Sequence, residues 1–286
     1  MSRRFEALQK TGGMWEQFGF GLLSDRPRPP VMEETPSRSP RRGERLGLLR
    51  TATEDILPPA TEGPQGVVLH PVEGLAEEAH KLAQHLAAGA SESGIRHGQP
   101  VRTVMMVSSV HGEGTSTMAT HLALSLSLRG RSEVLLVDGN LRSPSLHTLF
   151  QVKDGQGFVD LLRDTTTIRD TIRRSQMPGL YLMTAGIEGG DPPSVLEDQA
   201  VEERLHLLSG HFGHVILDAP PVHVSADALA FASKVDGIVL VIRAEATRWE
   251  VVQRAREQLE KAGGRILGTV LNRRRYVIPK RLYKRL

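Results

Sequence analysis

Residues 104 to 130 read VMMVSSVHGEGTSTMATHLALSLSLRG, and this stretch decides the expected fold. A continuous apolar run ends at Ser108, a short loop with two glycines follows, and a helical pattern opens at about Ser116. Apolar runs of this kind are typical of strands that are buried on both faces of a parallel sheet. The stretch therefore predicts a strand, a tight loop and a helix in the centre of an α/β domain.

The loop between this strand and this helix has the composition of a phosphate-binding loop. Gly112 and Gly114 allow backbone N–H groups to approach phosphate oxygens, and the N-terminus of the following helix favours negative charge there. The usual pattern G-x-x-x-x-G-K-[ST] fails twice, because Ser109 occupies the first glycine position and Thr115 the lysine position. Taken alone, the loop indicates phosphate binding only weakly, and an ordinary strand-to-helix turn is the alternative.

Two further strands are predicted to end in aspartates. Residues 133 to 142 read EVLLVDGNLR and deliver Asp138, and residues 214 to 221 read HVILDAPP and deliver Asp218. Ligands bind at the carboxyl ends of strands in open parallel sheets, so both carboxylates would face a γ-phosphate and its metal ion if these strands neighbour the first. Ser116 would bring a hydroxyl to the same Mg²⁺. A single aspartate in such a place is more often a loop cap, so the interpretation depends on all three strand ends together.

From residue 101 onward, short β-rich runs alternate with helical patterns. This alternation predicts βαβ units and a parallel sheet. Together with the glycine loop after the first strand, it predicts an α/β fold of the P-loop NTPase type, with a mostly parallel central sheet and helices on both faces. Residues 73 to 88 precede the first strand and place apolar side chains at three- and four-residue spacing, as an amphipathic helix does. The strands are predicted at 101–107, 133–137, 180–184, 214–217, 237–242 and 266–271.

Local signals mark where several helices begin and end. Gly130 follows the helix after the first strand, as a C-terminal glycine does. Ser143 and Pro144 suit the N-cap and first position of a helix, and Thr247 with Glu250 predicts a capping box. These signals agree with the alternating pattern.

The chain is expected to divide into four parts. Eight of the 17 prolines fall between Pro27 and Pro64, in a composition that cannot bury enough apolar surface to offset the entropy of ordering. The segment from 265 to 286 holds eight Lys or Arg residues and no Asp or Glu. The predicted parts are a short apolar segment at 1–23, a disordered linker at 24–66, the P-loop domain at 67–275 and a basic tail at 276–286.

Composition excludes several classes of chemistry and indicates a compartment. The chain has no cysteine, which rules out disulfides, zinc–thiolate sites, iron–sulfur clusters and cysteine nucleophiles. It has no apolar run of about 18 residues and no secretory signal, so a cytoplasmic protein is expected. The basic tail would meet an anionic membrane surface, nucleic acid or an acidic partner, or would simply be solvated.

The quoted residues resemble the bacterial tyrosine kinases of capsule and exopolysaccharide synthesis, a branch of the P-loop ATPases that also includes MinD- and ParA-like proteins. The resemblance covers about 73 to 273. It depends on SSVHGEGTST around the first loop, VLLVDGNLRSPSLH around the second and VILDAPPV around the third. Together these three motifs are quite specific.

The resemblance implies an ATP-dependent autokinase that phosphorylates tyrosines in its own tail. It would act at the inner face of the plasma membrane with a membrane polysaccharide co-polymerase of the Wzz-like kind, and nucleic acid is not an expected partner. Asp138 would act at the γ-phosphate, Arg142 would complete the second motif, and Asn272 would lie near the adenine. Mg²⁺ would be held by Ser116, Asp138 and Asp218. The implied nucleotide-binding residues are Ser109, Gly112, Glu113, Gly114, Thr115, Ser116, Thr117 and Asn272.

The departures from the family pattern are concentrated at the phosphates. Thr115 replaces the lysine, Asn140 the second aspartate of the D-x-D motif and His111 the loop proline. Loss of a fixed cation would cost several kcal/mol of barrier, a rate factor on the order of 10²–10³ or more. The leading hypothesis is therefore a degenerate member that binds nucleotide with little turnover. The alternatives are an active autokinase and a MinD- or ParA-like positioning ATPase.

Two further family features are also altered. The assembly motif E-x-x-R-x-x-R appears as Glu78, Lys81 and Gln84, which predicts a weakened homo-oligomer because lysine lacks the forked geometry of arginine. The tyrosine-rich tail of the family is reduced to Tyr276 and Tyr283. These two are the autophosphorylation candidates, with a partly buried anchor or an aromatic side chain at a membrane surface as the equal alternative.

Overall fold

The structure is a computed structural model that describes residues 75–89, 101–130, 132–153, 155–186 and 200–273. The predicted N-terminal segment (1–23), the linker (24–66) and the basic tail (276–286) lie outside the described residues. The same holds for the two candidate phosphorylation sites, Tyr276 and Tyr283.

The described residues form a seven-stranded sheet with the order β3-β4-β2-β5-β1-β6-β7. All neighbouring strands are parallel except β3, which pairs antiparallel with β4. Six of these strands were predicted from the sequence and are confirmed. Strand β3 was not predicted, because its three residues are too few to show a hydrophobic period. The strands are β1 Thr103–Ser108, β2 Val134–Asp138, β3 Ile172–Arg174, β4 Leu180–Met183, β5 His214–Asp218, β6 Gly237–Arg243 and β7 Ile266–Asn272.

Helices cover both faces of this sheet. One buried cluster joins the sheet to α4, α6, α7 and α8, and a second joins the opposite face to α1 and α2. The helix predicted at 73–88 is confirmed as α1. The helices are α1 Leu75–Gly89, α2 Thr115–Ser127, α3 Leu146–Leu149, α4 Phe158–Leu162, α5 Ile168–Thr171, α6 Ala200–His211, α7 Asp227–Ala232 and α8 Trp249–Lys261.

Strand β1 shows why the first strand reads as an unbroken apolar run. Met105 and Val107 belong to the cluster on one face, Val104 and Met106 to the cluster on the other, and all four are fully buried. Burial of each such side chain contributes roughly 1.5–3 kcal/mol. A strand covered on both sides has no solvent-facing position, so the alternation of a half-exposed strand is absent.

Both predicted helix starts are wrong, and the reason is tertiary in each case. Helix α3 begins at Leu146 with Ser145 as its N-cap residue, after Ser143 and Pro144, because the Asp138 carboxylate accepts the N–H groups that start the helix. Helix α8 begins at Trp249 with Arg248 as its N-cap residue, and the Thr247 hydroxyl donates to the carboxylate of Glu113 instead of capping the helix. The predicted C-terminal glycine is confirmed, since Gly130 follows α2 with φ +61°.

Candidate nucleotide-binding site

The order of the strands brings the three predicted loops together at one edge of the sheet. Strand β5 lies between β1 and β2, with Asp218 opposite Met106 on one side and opposite Asp138 on the other. All three strands are parallel, so their carboxyl ends meet at the same edge. The condition on which the sequence interpretation depended is therefore confirmed.

The loop after β1 contains backbone N–H groups that have no acceptor in the described part of the chain. Gly112 and Gly114 have φ values of +79° and +91°, which side chains rarely tolerate. The six N–H groups of residues 112 to 117 donate to no acceptor in the described part of the chain. Consecutive free N–H groups at the start of a helix form an anion-binding cradle. The backbone half of a P-loop is thus present.

Gly114 is required for a second reason besides its φ value. A Cβ atom at this position would lie 2.2 Å from Nδ2 of Asn272, the last residue of β7. Asn272 is buried, its Nδ2 donates to the carbonyl of Glu113 at 2.7 Å, and its Oδ1 accepts the N–H of Arg273 at 2.8 Å. Its side-chain amide therefore holds the loop through a hydrogen bond to a loop carbonyl. The predicted position of Asn272 beside the adenine stays a prediction.

The carboxylate of Glu113 turns into the protein, where it is 1% exposed. Oε2 accepts the N–H groups of Ser109 and Val110 at 2.7 and 3.0 Å. Oε1 accepts the N–H of Arg243 at 3.1 Å and the hydroxyl of Thr247. The resemblance placed Glu113 among the ligand-binding residues, but sequence reasoning missed this supporting contact. A glutamate between the two loop glycines was the only signal.

The lysine position of the loop holds a neutral side chain. Thr115 is the first residue of α2 and is 9% exposed, so a threonine hydroxyl stands where the P-loop pattern places an ammonium group. Ser116 and Thr117 follow it and are half-buried. His111, which stands at the position of the loop proline, is exposed. The side-chain cation of the usual motif is thus absent from position 115.

Asp138 organises the loop after β2. Its Oδ2 accepts the N–H groups of Ser145 and Leu146, each at 2.9 Å, and its Oδ1 accepts the N–H of Asn140 at 3.2 Å. The side chain is fully buried, and this burial raises its pKa, against which the three backbone donors and the nearby His147 act. Asp138 is therefore a loop cap as well as a candidate catalytic group.

Asp218 is fully buried at the end of β5. Neither of its carboxylate oxygens accepts a hydrogen bond from the residues that the structure describes. Burial, and then the charge of Asp138, raise its pKa to about 8, and the nearby hydroxyl of Ser116 acts against this shift. A fully buried carboxylate with two unsatisfied oxygens requires a proton or a cation.

The residues at this edge suit Mg²⁺. This ion is usually bound by one or two carboxylates, with water and substrate phosphates completing its shell, so a cage made by the protein alone is not needed. The described residues contain no group of three acidic, histidine or cysteine side chains that would form such a cage. The unsatisfied oxygens of Asp218 beside the Ser116 hydroxyl match the partial site that a metal–nucleotide complex requires.

Arg142 forms an ion pair with Asp227. Its Nε donates to Oδ2 of Asp227 at 3.0 Å and its Nη2 to Oδ1 at 3.4 Å. Asp227 opens α7 and is 2% exposed, whereas 44% of the Arg142 side chain is exposed. This pair joins the loop after β2 to the segment after β5. Sequence reasoning did not single out Asp227, which lies in the stretch SADALAFA.

The altered assembly motif forms contacts within its own helix. Lys81 Nζ lies 3.1 Å from Glu78 and 3.3 Å from Glu77, and Gln84 Nε2 lies 3.0 Å from the ring of His80. These side chains are exposed or half-exposed on α1. Assembly through this helix stays a prediction.

Comparison with known proteins places this geometry in a family. The P-loop NTPase family described as "ParA: NUBPL iron-transfer P-loop NTPase" matches residues 100–284. The chain has no cysteine, the usual ligand of iron–sulfur clusters, so the match establishes the NTPase family and not iron transfer. Tyrosine-protein kinase YwqD of Bacillus subtilis is 31% identical over 172 residues, which are 60% of this chain and 72% of that protein.

Solved structures agree with this assignment. The kinase domain of VpsO is 30% identical with a TM-score of 0.59, over 68% of this chain and 97% of that one. MinD from Pyrococcus horikoshii, solved with Mg-ADP, is 25% identical with a TM-score of 0.52, over 64% of this chain and 76% of that one. A P-loop backbone, two strand-end aspartates and these similarities together show that the chain belongs to the bacterial tyrosine-protein kinase family of P-loop NTPases.

Proposed function

We propose that this chain is a nucleotide-binding regulator of exopolysaccharide or capsule biosynthesis that binds ATP with Mg²⁺ and transfers phosphate weakly or not at all. The observation that carries the proposal is Thr115, a neutral side chain in the lysine position of a loop whose N–H cradle is intact. Backbone donors support binding of the phosphates. Transfer also requires fixed positive charge at the β- and γ-phosphates.

The charges around the loop support a separation of binding from catalysis. Glu113, Asp138 and Asp218 are each 1% exposed or less, and the phosphates of ATP would add further negative charge. A missing cation acts most strongly on the transition state, where charge moves between phosphate oxygens, and its loss costs a rate factor on the order of 10²–10³. Affinity that rests on backbone N–H groups is less affected.

Two residues of this chain would hold Mg²⁺. Asp218 offers two unsatisfied oxygens and Ser116 a hydroxyl, whereas the oxygens of Asp138 already accept backbone hydrogen bonds. When bound, the ion supplies positive charge to the phosphates that the loop itself lacks. In the absence of the lysine, we therefore expect nucleotide affinity to depend more steeply on Mg²⁺ than in relatives that keep it.

The cellular role is carried over from the family resemblance. It implies a membrane polysaccharide co-polymerase as partner, a position at the inner face of the plasma membrane, and Tyr276 and Tyr283 as the tail tyrosines. No helix among the described residues is both long and apolar enough to span a bilayer. Contact with the membrane would then come from the partner or from the basic tail.

The test compares binding with transfer in the full chain. Titration calorimetry with ADP and with a non-hydrolysable ATP analogue, with and without Mg²⁺, measures binding. Incubation with radiolabelled ATP, followed by detection of phosphotyrosine, measures transfer. We expect Mg²⁺-dependent binding of the nucleotides and little phosphotyrosine label. In Asp218→Asn, we expect both the nucleotide binding and the remaining label to be lost. Robust labelling that is lost in the double variant Tyr276→Phe/Tyr283→Phe would establish the active autokinase instead.

A MinD-like positioning ATPase is the second candidate, because the Mg-ADP-bound MinD shares the fold. That function requires binding of the basic tail to an anionic membrane surface or to DNA. Flotation with anionic vesicles and a salt titration of DNA binding test it, since binding to DNA phosphates weakens steeply with salt. Retention on either surface by the chain alone, coupled to ATP, would favour this candidate.

A further inference from the structure

The carboxylate of Glu113 joins the phosphate-binding loop to two other elements of the sheet edge. Within the loop it accepts the N–H groups of Ser109 and Val110. Outside the loop it accepts the N–H of Arg243 at the end of β6 and the hydroxyl of Thr247 in the turn before α8. The loop is therefore attached to the β6–α8 turn, residues 243 to 248, through one side chain.

The four donors explain why a carboxylate is buried here. An ionised carboxylate that is 1% exposed would be very costly without partners. Hydrogen bonds to a charged acceptor are about twice as strong as neutral ones, and Glu113 accepts four of them. Three of the four donors are backbone N–H groups, whose positions are set by the fold. The Thr247 hydroxyl is the one contact that a single side-chain change removes.

This arrangement divides the amides of the loop into two groups. Glu113 uses the N–H groups of Ser109 and Val110, and the six N–H groups of residues 112 to 117 are left without an acceptor in the described part of the chain. The carbonyl of Glu113 is held by Asn272 from the other side. In the usual P-loop pattern a lysine follows the second glycine. Here that position is neutral, and the buried carboxylate of Glu113 is the charged group that holds the loop in shape.

We propose that Glu113 is a positioning residue, and that its contact with Thr247 couples the β6–α8 turn to the affinity of the loop for nucleotide phosphates. The inference rests on the proposed nucleotide binding and adds a control point to it. When the Thr247 hydroxyl donates to Glu113, the amides of residues 112 to 117 are held in the arrangement that leaves them available to phosphates. When the turn moves away, Glu113 loses a donor and the loop loses its preorganisation.

The test removes the contact without changing the size of the side chain. Thr247→Val lacks only the hydroxyl, and Thr247→Ser keeps it. We expect Thr247→Val to raise the Kd for Mg-ADP about tenfold, and Thr247→Ser to bind within about twofold of the unmodified chain. The matched control is Thr165→Val, which removes an exposed hydroxyl that donates to the carbonyl of Asp160.

A second measurement does not depend on nucleotide. Amide hydrogen exchange should speed up at Ser109 and Val110 in Thr247→Val but not in Thr247→Ser or Thr165→Val, because these amides are bonded to Glu113. Equal Kd values for the two Thr247 variants, or unchanged exchange at Ser109 and Val110, would overturn the inference. A chain that binds no nucleotide in any form would refute the proposed function, and the exchange data would still report on the contact.

Discussion

Asp138 and Asp218 lie opposite each other in register on the parallel strands β2 and β5, yet only Asp138 is hydrogen-bonded by the described part of the chain. Asp138 accepts three backbone N–H groups, while both oxygens of Asp218 are buried without a partner. Two aspartates that look equivalent in sequence therefore differ in role. Asp138 shapes a loop, and Asp218 is left for a proton or a cation.

The stability of the nucleotide-free protein should depend on pH through Asp218. Its pKa is raised from the ordinary 3.8 to about 8, so the folded state keeps a proton that the unfolded chain has lost in this range. The contribution of Asp218 to the free energy of unfolding should therefore fall as the pH rises from about 4 to about 8, by at most ~1.4 kcal/mol per pH unit. His214, whose pKa is lowered to about 4 by desolvation, opposes this trend below about pH 6.5, so the fall should be clearest between about pH 6.5 and 8. Urea denaturation without Mg²⁺ at several pH values within this range measures the slope.

The Asp218→Asn variant isolates this contribution. The stability of the variant should fall less with rising pH than that of the unmodified chain over the same range, since the amide does not titrate. Asp170→Asn on the exposed face of α5 is the control and should retain the slope of the unmodified chain. If Asp218→Asn and the unmodified chain lose stability equally with rising pH, the raised pKa is wrong.

Two glycines of the loop should respond differently to alanine. Gly112→Ala meets no atom within 4 Å and costs only the positive φ, roughly 1–2 kcal/mol. Gly114→Ala has the same backbone penalty and also places a Cβ 2.2 Å from Asn272 Nδ2, which displaces the hydrogen bond to Glu113. Thermal unfolding and Mg-ADP titration of both variants measure the difference. Equal effects of the two substitutions on stability would contradict the close approach of Asn272.

The ion pair between Arg142 and Asp227 should stabilise the fold more than a surface pair does. Arg142→Met leaves the buried Asp227 carboxylate without its guanidinium, and we expect a loss of about 2 kcal/mol, below the full cost of a buried pair because Arg142 is partly exposed. Arg256→Met breaks the pair with Glu260 on α8, whose carboxylate side chain is 44% exposed where that of Asp227 is 2% exposed, and should cost less than about 0.5 kcal/mol.

A double variant gives this prediction its control. Arg142→Met combined with Asp227→Asn removes both charges and should recover part of the lost stability, as measured by chemical denaturation. If Arg142→Met costs no more than Arg256→Met, the contact with Asp227 does not stabilise the fold.

A lysine at position 115 should increase phosphoryl transfer from ATP more than it increases nucleotide affinity. Thr115→Lys places an ammonium group at the start of α2, and we expect labelling from ATP to increase by a factor on the order of 10² while the Kd for Mg-ADP changes much less. Thr115→Met adds a side chain of similar length without charge and should leave transfer at the level of the unmodified chain. An unchanged rate in Thr115→Lys would locate the defect elsewhere, and Asn140→Asp then tests the other departure.

Several features of the site could not be predicted because they depend on distant parts of the chain. The partners of Glu113 lie 130 and 134 residues away at Arg243 and Thr247, and Asp227 lies 85 residues from Arg142. A local pattern made Thr247 a helix cap, which is a reasonable role for threonine in isolation. The stronger acceptor, a buried carboxylate, is adjacent to it only in the folded protein.

The sequence by itself determined six of the seven strands, the glycine loop, the aspartates at two strand ends and the substitution of Thr115 for lysine. These features can be read from short segments, because a continuous apolar run indicates a strand that is buried on both faces. A loop glycine likewise indicates a backbone conformation with positive φ, which other residues rarely adopt. Only the tertiary structure decided which carboxylates are already hydrogen-bonded. The carboxylates of Glu113, Asp138 and Asp227 have hydrogen-bond donors, whereas that of Asp218 has none among the described residues. The strand order decides which donors lie near each carboxylate, and no local pattern records that order.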